Sequence, residues 1–290
     1  MMKNPPITVI MSCFNSEKFI KETITSVLNQ SYVNFEFIIV NDGSTDKTLS
    51  VIQNFAKIDK RIIIINKNNT GLSDSLNTAL NIAQGTYIAR IDADDICLPE
   101  RFKIQYNFLE NNSSYVLCSS SVYFIDEAGF NIGRSFPLIL NRAIKKELKY
   151  NNPIAHPTVM IRKIALVKVG GYSKIIKQYF EDYFLWNLLI KEGKFHTITK
   201  PLIKYRLLNN SLSSRVSEKL IFKLRELVQK INITKSDYNE LLKIRNESKI
   251  VNHENNTTKM KFSLLVDKIY LLPDLICLLK SYYSLIKKCV

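Results

Sequence analysis

The sequence predicts an α/β fold in which a mostly parallel sheet is flanked by helices on both faces. Three observations predict it. Short β-branched runs alternate with amphipathic helical stretches four times within roughly the first 110 residues. The runs are apolar at consecutive positions, as in strands covered on both faces. Each run ends in turn and cap residues, which gathers polar side chains at the carboxyl ends of the strands, where open α/β sheets bind ligands.

Ile7 to Cys13 is the first strand, and Phe14-Asn15-Ser16 supplies a turn and a helix cap. The helix that follows carries Phe19, Ile20, Ile24, Val27 and Leu28 on one face. Phe35 to Val40 is the second strand, and Asn41 to Asp46 is rich in turn and cap residues. A helix with Leu49, Ile52 and Phe55 inward comes next. Arg61 to Ile65 is the third strand, and Asn68-Asn69-Thr70-Gly71 turns into a helix with Leu72, Leu76, Ala79, Leu80 and Ala83 inside. Gly85 is placed to end that helix.

The fourth strand, Tyr87-Ile88-Ala89-Arg90-Ile91, runs into Asp92-Ala93-Asp94-Asp95. Asp is depleted in strands, and buried carboxylates are costly unless paired, hydrogen-bonded or metal-bound. A helix cap before Pro99 accounts for one of the three carboxylates and leaves two, which points to a hard-cation site.

Beyond Tyr115 the order loosens. Val116 to Phe124 reads as a strand, Asp126 to Gly133 as a turn and Ala143 to Tyr150 as a short helix. Pro153 to Arg162 reads as extended, because a proline disfavours helix in the residue before it. Gly170-Gly171-Tyr172 is a break, Glu181-Asp182 opens a helix through Leu189, and Phe195 to Leu207 returns as a strand. After Ser214 the pattern is helical and basic, with Leu220, Leu224, Leu227, Ile231, Leu241 and Leu242 inward and a polar stretch from Asn246 to Lys261. Phe262 to Val290 mixes apolar triplets with lysines, as in a packed helix or an interfacial membrane helix.

The five cysteines are scattered without metal-site spacing, and the three histidines do not cluster as zinc ligands would. No run approaches the roughly 20 apolar residues that span a bilayer, and no apolar leader opens the chain, so a cytoplasmic location is expected. The formal charge of +15 calls for an anionic partner: nucleic acid, a membrane surface or a phosphorylated substrate. From Ser213 onward fifteen Lys and Arg stand against eight Asp and Glu, so +7 of the +15 lies in the last quarter.

Four stretches, in order, carry a resemblance: Val9 to Asn15, Val40 to Asp46, Ile91 to Asp95, and Glu181-Asp182-Tyr183-Phe184-Leu185-Trp186. Together they resemble the family 2 glycosyltransferases of the GT-A (Rossmann-like) fold, especially bacterial enzymes that build lipooligosaccharide, capsule and O-antigen chains. The resemblance implies a GT-A catalytic domain over residues 1–213, with a nucleotide-sugar half (1–112) and an acceptor half (113–213). A basic helical C-terminal extension (214–290) follows. It implies an inverting transfer of a hexose or N-acetylhexosamine from a UDP-sugar to a glycan or glycolipid hydroxyl, assisted by Mn2+ or Mg2+.

Residue by residue, the resemblance makes Asp94 the metal ligand and sets Asp92 against the ribose or the metal. Asp95 is a donor-sugar contact or a cap. Asp42 takes the uracil or ribose, while Ser44 and Asp46 cap the next helix. Cys13, Phe14, Asn15 and Ala93 line the nucleotide, with Phe14 where relatives carry tyrosine and Asn15 shaping the turn. Asp182 is the base, with Glu181 as the alternative. His156 and Trp186 fall on the acceptor side, although a buried core histidine is an equal reading of the first.

Leu208 stands where relatives often place a histidine, which removes one ligand to metal or diphosphate. Arg206, Ser211 and Ser213 remain as phosphate contacts, Arg206 the more persuasive as a charge partner. The basic tail suggests docking on an anionic membrane. Two other classes compete. A nucleic-acid-binding protein would explain the charge, but the chain has no recognisable motif for it. A sugar nucleotidyltransferase would open with a Gly-rich loop where this chain has Cys13-Phe14-Asn15-Ser16.

Overall fold

The computed structural model describes residues 5–176 and 180–208, and within the C-terminal part 222–224, 226–227, 230 and 233–253. Strands β1 (Ile7–Cys13), β2 (Phe35–Asp42), β3 (Ile62–Lys67) and β4 (Tyr87–Arg90) pair in parallel in the order β3-β2-β1-β4. The intervening helices are α1 (Ile20–Leu28), α2 (Thr48–Ile58) and α3 (Leu72–Ile82). The sheet continues through β8 (Met160–Arg162), β6 (Tyr115–Ile125), β9 (Lys194–Arg206) and the two-residue β5 (Ile96–Cys97), with β7 (Asn131–Arg134) beside β6. β8 runs antiparallel between β4 and β6, whereas β6 and β9 are parallel to each other.

Side-chain alternation divides the core into two layers. Ile7, Val9 and Met11 of β1 and Phe35, Phe37 and Ile39 of β2 face the layer that holds Ile20, Ile24, Ile52 and Phe102. Ile10, Ile38 and Val40 face the opposite layer, with Leu76, Leu166, Trp186 and Leu189. Thus α1, α2 and α4 (Arg101–Asn111) cover one face, and α3, α6 (Lys163–Lys168) and α7 (Glu181–Leu189) the other. α5 (Asn141–Glu147) and α8 (Lys235–His253) join the second layer through Ile144 and through Tyr238, Leu241 and Ile244. The inward residues expected at Leu224, Leu227 and Leu241 are buried there, and Leu242 is partly buried. Leu220, Ile231 and the stretch from Phe262 to Val290 lie outside the described residues.

Three local expectations need correction. Pro153 to Arg162 is not extended throughout. His156–Thr158 forms one 3-10 turn before β8, with Pro157 at a first-turn position where a missing N–H costs nothing. The stretch read as a turn at Asp126 to Gly133 contains the start of β7, a strand too short and too exposed to leave a pattern. Gly85 does not cap α3, which ends at Ile82. It is needed for close approach, since a Cβ there would lie 2.5 Å from the Thr8 nitrogen.

Candidate active site

The carboxyl ends of β1, β2 and β4 share one rim, and the antiparallel β8 starts at that rim. The N–H of Arg90, the last residue of β4, donates to Val159 O at 3.1 Å, which sets the 3-10 turn with His156 beside the acidic segment. The backbone of that segment is pinned from α1: Thr23 Oγ1 donates to Ala93 O and Asp95 O at 3.0 and 2.8 Å. Ala93 is buried, so it shapes the turn from within.

The three carboxylates have different surroundings. Asp92 is paired by both oxygens with the buried Arg90 guanidinium. Asp94 has no such partner among the described residues, and burial together with the charge of Asp92 pushes its carboxyl from 3.8 up to about 6. Asp95 is buried. Its Oδ1 accepts from the Arg206 N–H at 2.8 Å, its Oδ2 has no partner among the described residues, and burial raises it well above the usual carboxylate range. Asp95 does not cap α4, which begins at Arg101 without a side-chain cap.

Through Glu181 the N-terminus of α7 comes within electrostatic reach of Arg90 and Asp92. Its leading residue, Phe180, is held in the left-handed region (φ 64°), a strain of the kind found at functional sites. Glu181 is buried, 3.4 Å from His156 Nδ1, and Asp182 is partly exposed. Asp182 Oδ2 accepts from Asn152 Nδ2 and Oδ1 from the Tyr183 N–H, both at 2.7 Å. The helix dipole favours ionised carboxylates here, yet burial is the larger effect and raises both side chains above their ordinary values. That suits a proton acceptor.

His156 and Trp186 lie under this pair rather than on an acceptor-facing surface. His156 Nε2 bonds Tyr172 OH at 2.9 Å, and burial lowers the imidazole to about 3, so it is neutral. Trp186 is fully buried and meets the His156 ring edge-on at 5.6 Å.

Arg206 likewise departs from the expected phosphate contact. It is buried, with Nε donating to Asp94 O, Nη1 to Asp126 O and Glu127 O, and Nη2 to Glu22 Oε2 at 2.6 Å, above the Phe19 ring. It braces the acidic turn from behind. Leu208, two residues on, is partly buried, and Ser211 and Ser213 lie outside the described residues.

On the nucleotide side Phe14 is 49% exposed at the rim, free to stack. Asn15 has φ 48° and ties two loops together, its N–H donating to Ser44 Oγ and its Oδ1 accepting from the Thr45 N–H. Cys13 is buried, bonds Val40 O, and is pushed up to about 12 by burial, so it supplies packing and no thiolate. Asp42 accepts from the N–H groups of Thr70 and Gly71 at 3.0 and 2.9 Å and from Lys67 Nζ, which organises the loop before α3. Capping of α2 falls to Asp46, whose Oδ1 accepts from the Thr48 N–H.

Sequence reasoning missed Arg90 and Tyr172. An arginine inside an otherwise apolar strand was the available signal for the first, since arginine is almost never buried unless paired. Tyr172 follows two glycines and left no signal.

Among the described residues no three acidic, cysteine or histidine side chains converge to hold a metal unaided. The donor set fits a substrate-assisted ion all the same. Asp94 and Asp92 offer hard oxygens, the crowding that raises Asp94 is what a cation relieves, and Mg2+ sites use one or two carboxylates with substrate phosphates.

The site is thus an acidic turn at the carboxyl rim of a doubly covered α/β sheet, with a second carboxylate pair at the N-terminus of α7. Glycosyl transferase family 2 matches residues 8–170, and the chain belongs to that family. An uncharacterized glycosyltransferase of Methanocaldococcus jannaschii, MJ1057, is 40% identical over 76% of this chain and 77% of its own. The Escherichia coli O-antigen biosynthesis glycosyltransferase WbnJ is 31% identical over 79% of this chain and 91% of its own. The crystal structure of S. aureus TarS in complex with UDP-GlcNAc shares the fold at 18% identity, with a TM-score of 0.62 over 88% of this chain and 74% of that one. This chain is therefore a glycosyltransferase with the GT-A architecture, and family membership favours that class over a nucleic-acid-binding protein or a nucleotidyltransferase.

Proposed function

We propose that the enzyme moves a hexose or N-acetylhexosamine from a UDP-sugar to a hydroxyl of a growing surface glycan, with inversion at the anomeric carbon. One observation carries the reading: Arg90 links the two acidic groups, paired with Asp92 of the acidic turn and within electrostatic reach of Glu181, which adjoins Asp182. A donor diphosphate at the first and an acceptor hydroxyl at the second would bring the reacting atoms together. The family, the O-antigen relative and the UDP-GlcNAc complex of the shared fold support the donor and acceptor classes.

In this reading Phe14 stacks on the base and Asp92, fixed by Arg90, presents an oxygen to the ribose. Asp94, with Asp92 beside it, would hold Mg2+ or Mn2+. The ion when bound supplies Lewis-acid stabilisation of charge on the diphosphate. Asp182 takes the proton of the acceptor hydroxyl as its oxygen bonds to the anomeric carbon, and the electron pair of the breaking C–O bond leaves with UDP. Asp182 is the better base because it is partly exposed, while Glu181 is buried against His156 and helps place it.

The test is turnover of UDP-Gal, UDP-Glc, UDP-GlcNAc and UDP-GalNAc by the full chain, read as UDP release with the product anomer assigned by NMR. One donor is expected to stand out and to give the inverted anomer. No release from any of the four, or retention of configuration, would overturn the proposal.

A further inference from the structure

The segment from Phe130 to Lys149 leaves an unusual surface outside the site. Phe130 is 72% exposed, Leu140 70%, Phe136 50% and Ile132 49%, a density of large apolar groups that is rarely left to water without a use. Among them stand five cations and one acid: Arg134, Arg142, Lys145, Lys146 and Lys149 against Glu147. Glu147 is partly buried and accepts from Asn151.

Both halves of the segment have a regular face. Ile132 and Arg134 alternate along β7 in step with Phe130 just before it, and the Arg134 guanidinium lies 4.9 Å from the Phe136 ring. On and just after α5 the cations fall at positions i, i+3, i+4 and i+7, opposite the buried Ile144 and Leu148. Among the described residues none of the five cations has a carboxylate partner.

Both ends are tied to the active site. Arg206, which braces the acidic turn, donates to Asp126 O and Glu127 O at the base of the hairpin. At the far end Leu148 O accepts from Tyr183 OH, and Asn152 donates to Asp182.

We infer that this segment docks the enzyme on an anionic phospholipid surface, the apolar side chains entering the headgroup layer and the cations facing lipid phosphates. Along the segment exposed apolar groups interleave with cations that have no carboxylate partner among the described residues, which matches that surface, whereas a protein partner would call for a less uniformly basic rim. Docking here fixes the active site relative to the membrane, and this use rests on the proposed reading that the acceptor glycan is carried there.

The test uses the full chain and sedimentation with vesicles of phosphatidylcholine alone or mixed with phosphatidylglycerol. Wild type is expected on the mixed vesicles only, and released by salt. Lys145→Gln/Lys146→Gln/Lys149→Gln is expected to weaken the partition about a hundredfold, from about 1 kcal/mol for each lysine near an anionic surface. Phe130→Ser/Leu140→Ser should weaken it while leaving the salt dependence in place. Thermal unfolding and UDP release measured without vesicles should be unchanged in both variants, which separates failure of docking from failure of the glycosyltransferase reading. Vesicle binding equal to wild type in both variants would assign docking to the basic tail and overturn the inference. A shift from dimer to monomer in the serine variant, with vesicle binding retained, would assign the face to a second copy and overturn it equally.

Discussion

Asp94→Asn separates what the acidic turn costs from what it does. In the free protein, burial and the Asp92 charge push the Asp94 carboxyl from 3.8 to about 6. Ionising it at pH 7.5 then costs about 3 kcal/mol, from (6 − 3.8) at 1.36 kcal/mol per decade. The side chain is only partly buried, so solvent screening brings the expected figure to about half of that. Asn has nearly the same shape and no charge. In EDTA the variant is predicted to be more stable than wild type by about 1.5 kcal/mol, or roughly 3–6 °C in Tm. The sign follows from proton uptake: with its folded value raised, the native carboxyl holds more proton than the unfolded one between 3.8 and about 6. Wild-type stability therefore falls as pH rises through that window, and the advantage of Asn opens over the same range. Thermal melts followed by circular dichroism from pH 4 to pH 8 measure it. An Asn variant less stable at pH 7.5, or a gap that does not change with pH, refutes the reasoning.

Other outcomes follow from the same geometry. Asp182→Asn is predicted to lower transfer about 10²–10⁴-fold while UDP binding holds, so loss of UDP affinity in titration calorimetry would move Asp182 to the donor side. Because burial raises Asp182, the acid limb of the kcat/KM profile should lie above the ordinary carboxylate range, with activity falling as pH drops through it; a limb near 4 would exclude Asp182 and Glu181 as the base. Arg206→Met breaks hydrogen bonds from the guanidinium to four acceptors and is predicted to destabilise the protein by about 3–5 kcal/mol in urea unfolding, with Arg206→Lys intermediate. Equal stability of Met and wild type would show that the brace carries no load.

How legible all this was in the sequence depended on the range over which each feature is encoded. β1 to β4 and their helices are local: β-branched runs and 3.6-residue stripes specify them, and they emerged nearly as read. β5 and the antiparallel β8 span two and three residues and exist only through partners far along the chain, while β7 is a four-residue hairpin arm too short and exposed to leave a pattern. In the site, the acidic turn was visible because three carboxylates at the end of a strand are chemically odd. The Glu181-Asp182 pair, ordinary for a helix's first turn, stood out only through the family resemblance. The employment of Arg206 was not visible, since its partners come from Glu22, Asp94, Asp126 and Glu127, up to 184 positions away. The resemblance sets His156 and Trp186 on the acceptor side, with a buried core histidine as the equal alternative for His156, because sequence position does not show which way a side chain points. Packing against Tyr172 and the second core layer turns both inward.

The central claim is that the turn at Asp94 receives the donor diphosphate. Calorimetric titration of UDP onto wild type and Asp94→Asn, each with Mn2+ and with EDTA, tests it most directly. The account predicts one saturable site for wild type with Mn2+, and binding weaker by about tenfold or more, some 1.4 kcal/mol, with EDTA or in the variant. Affinity for UDP that is the same in all four titrations would contradict it.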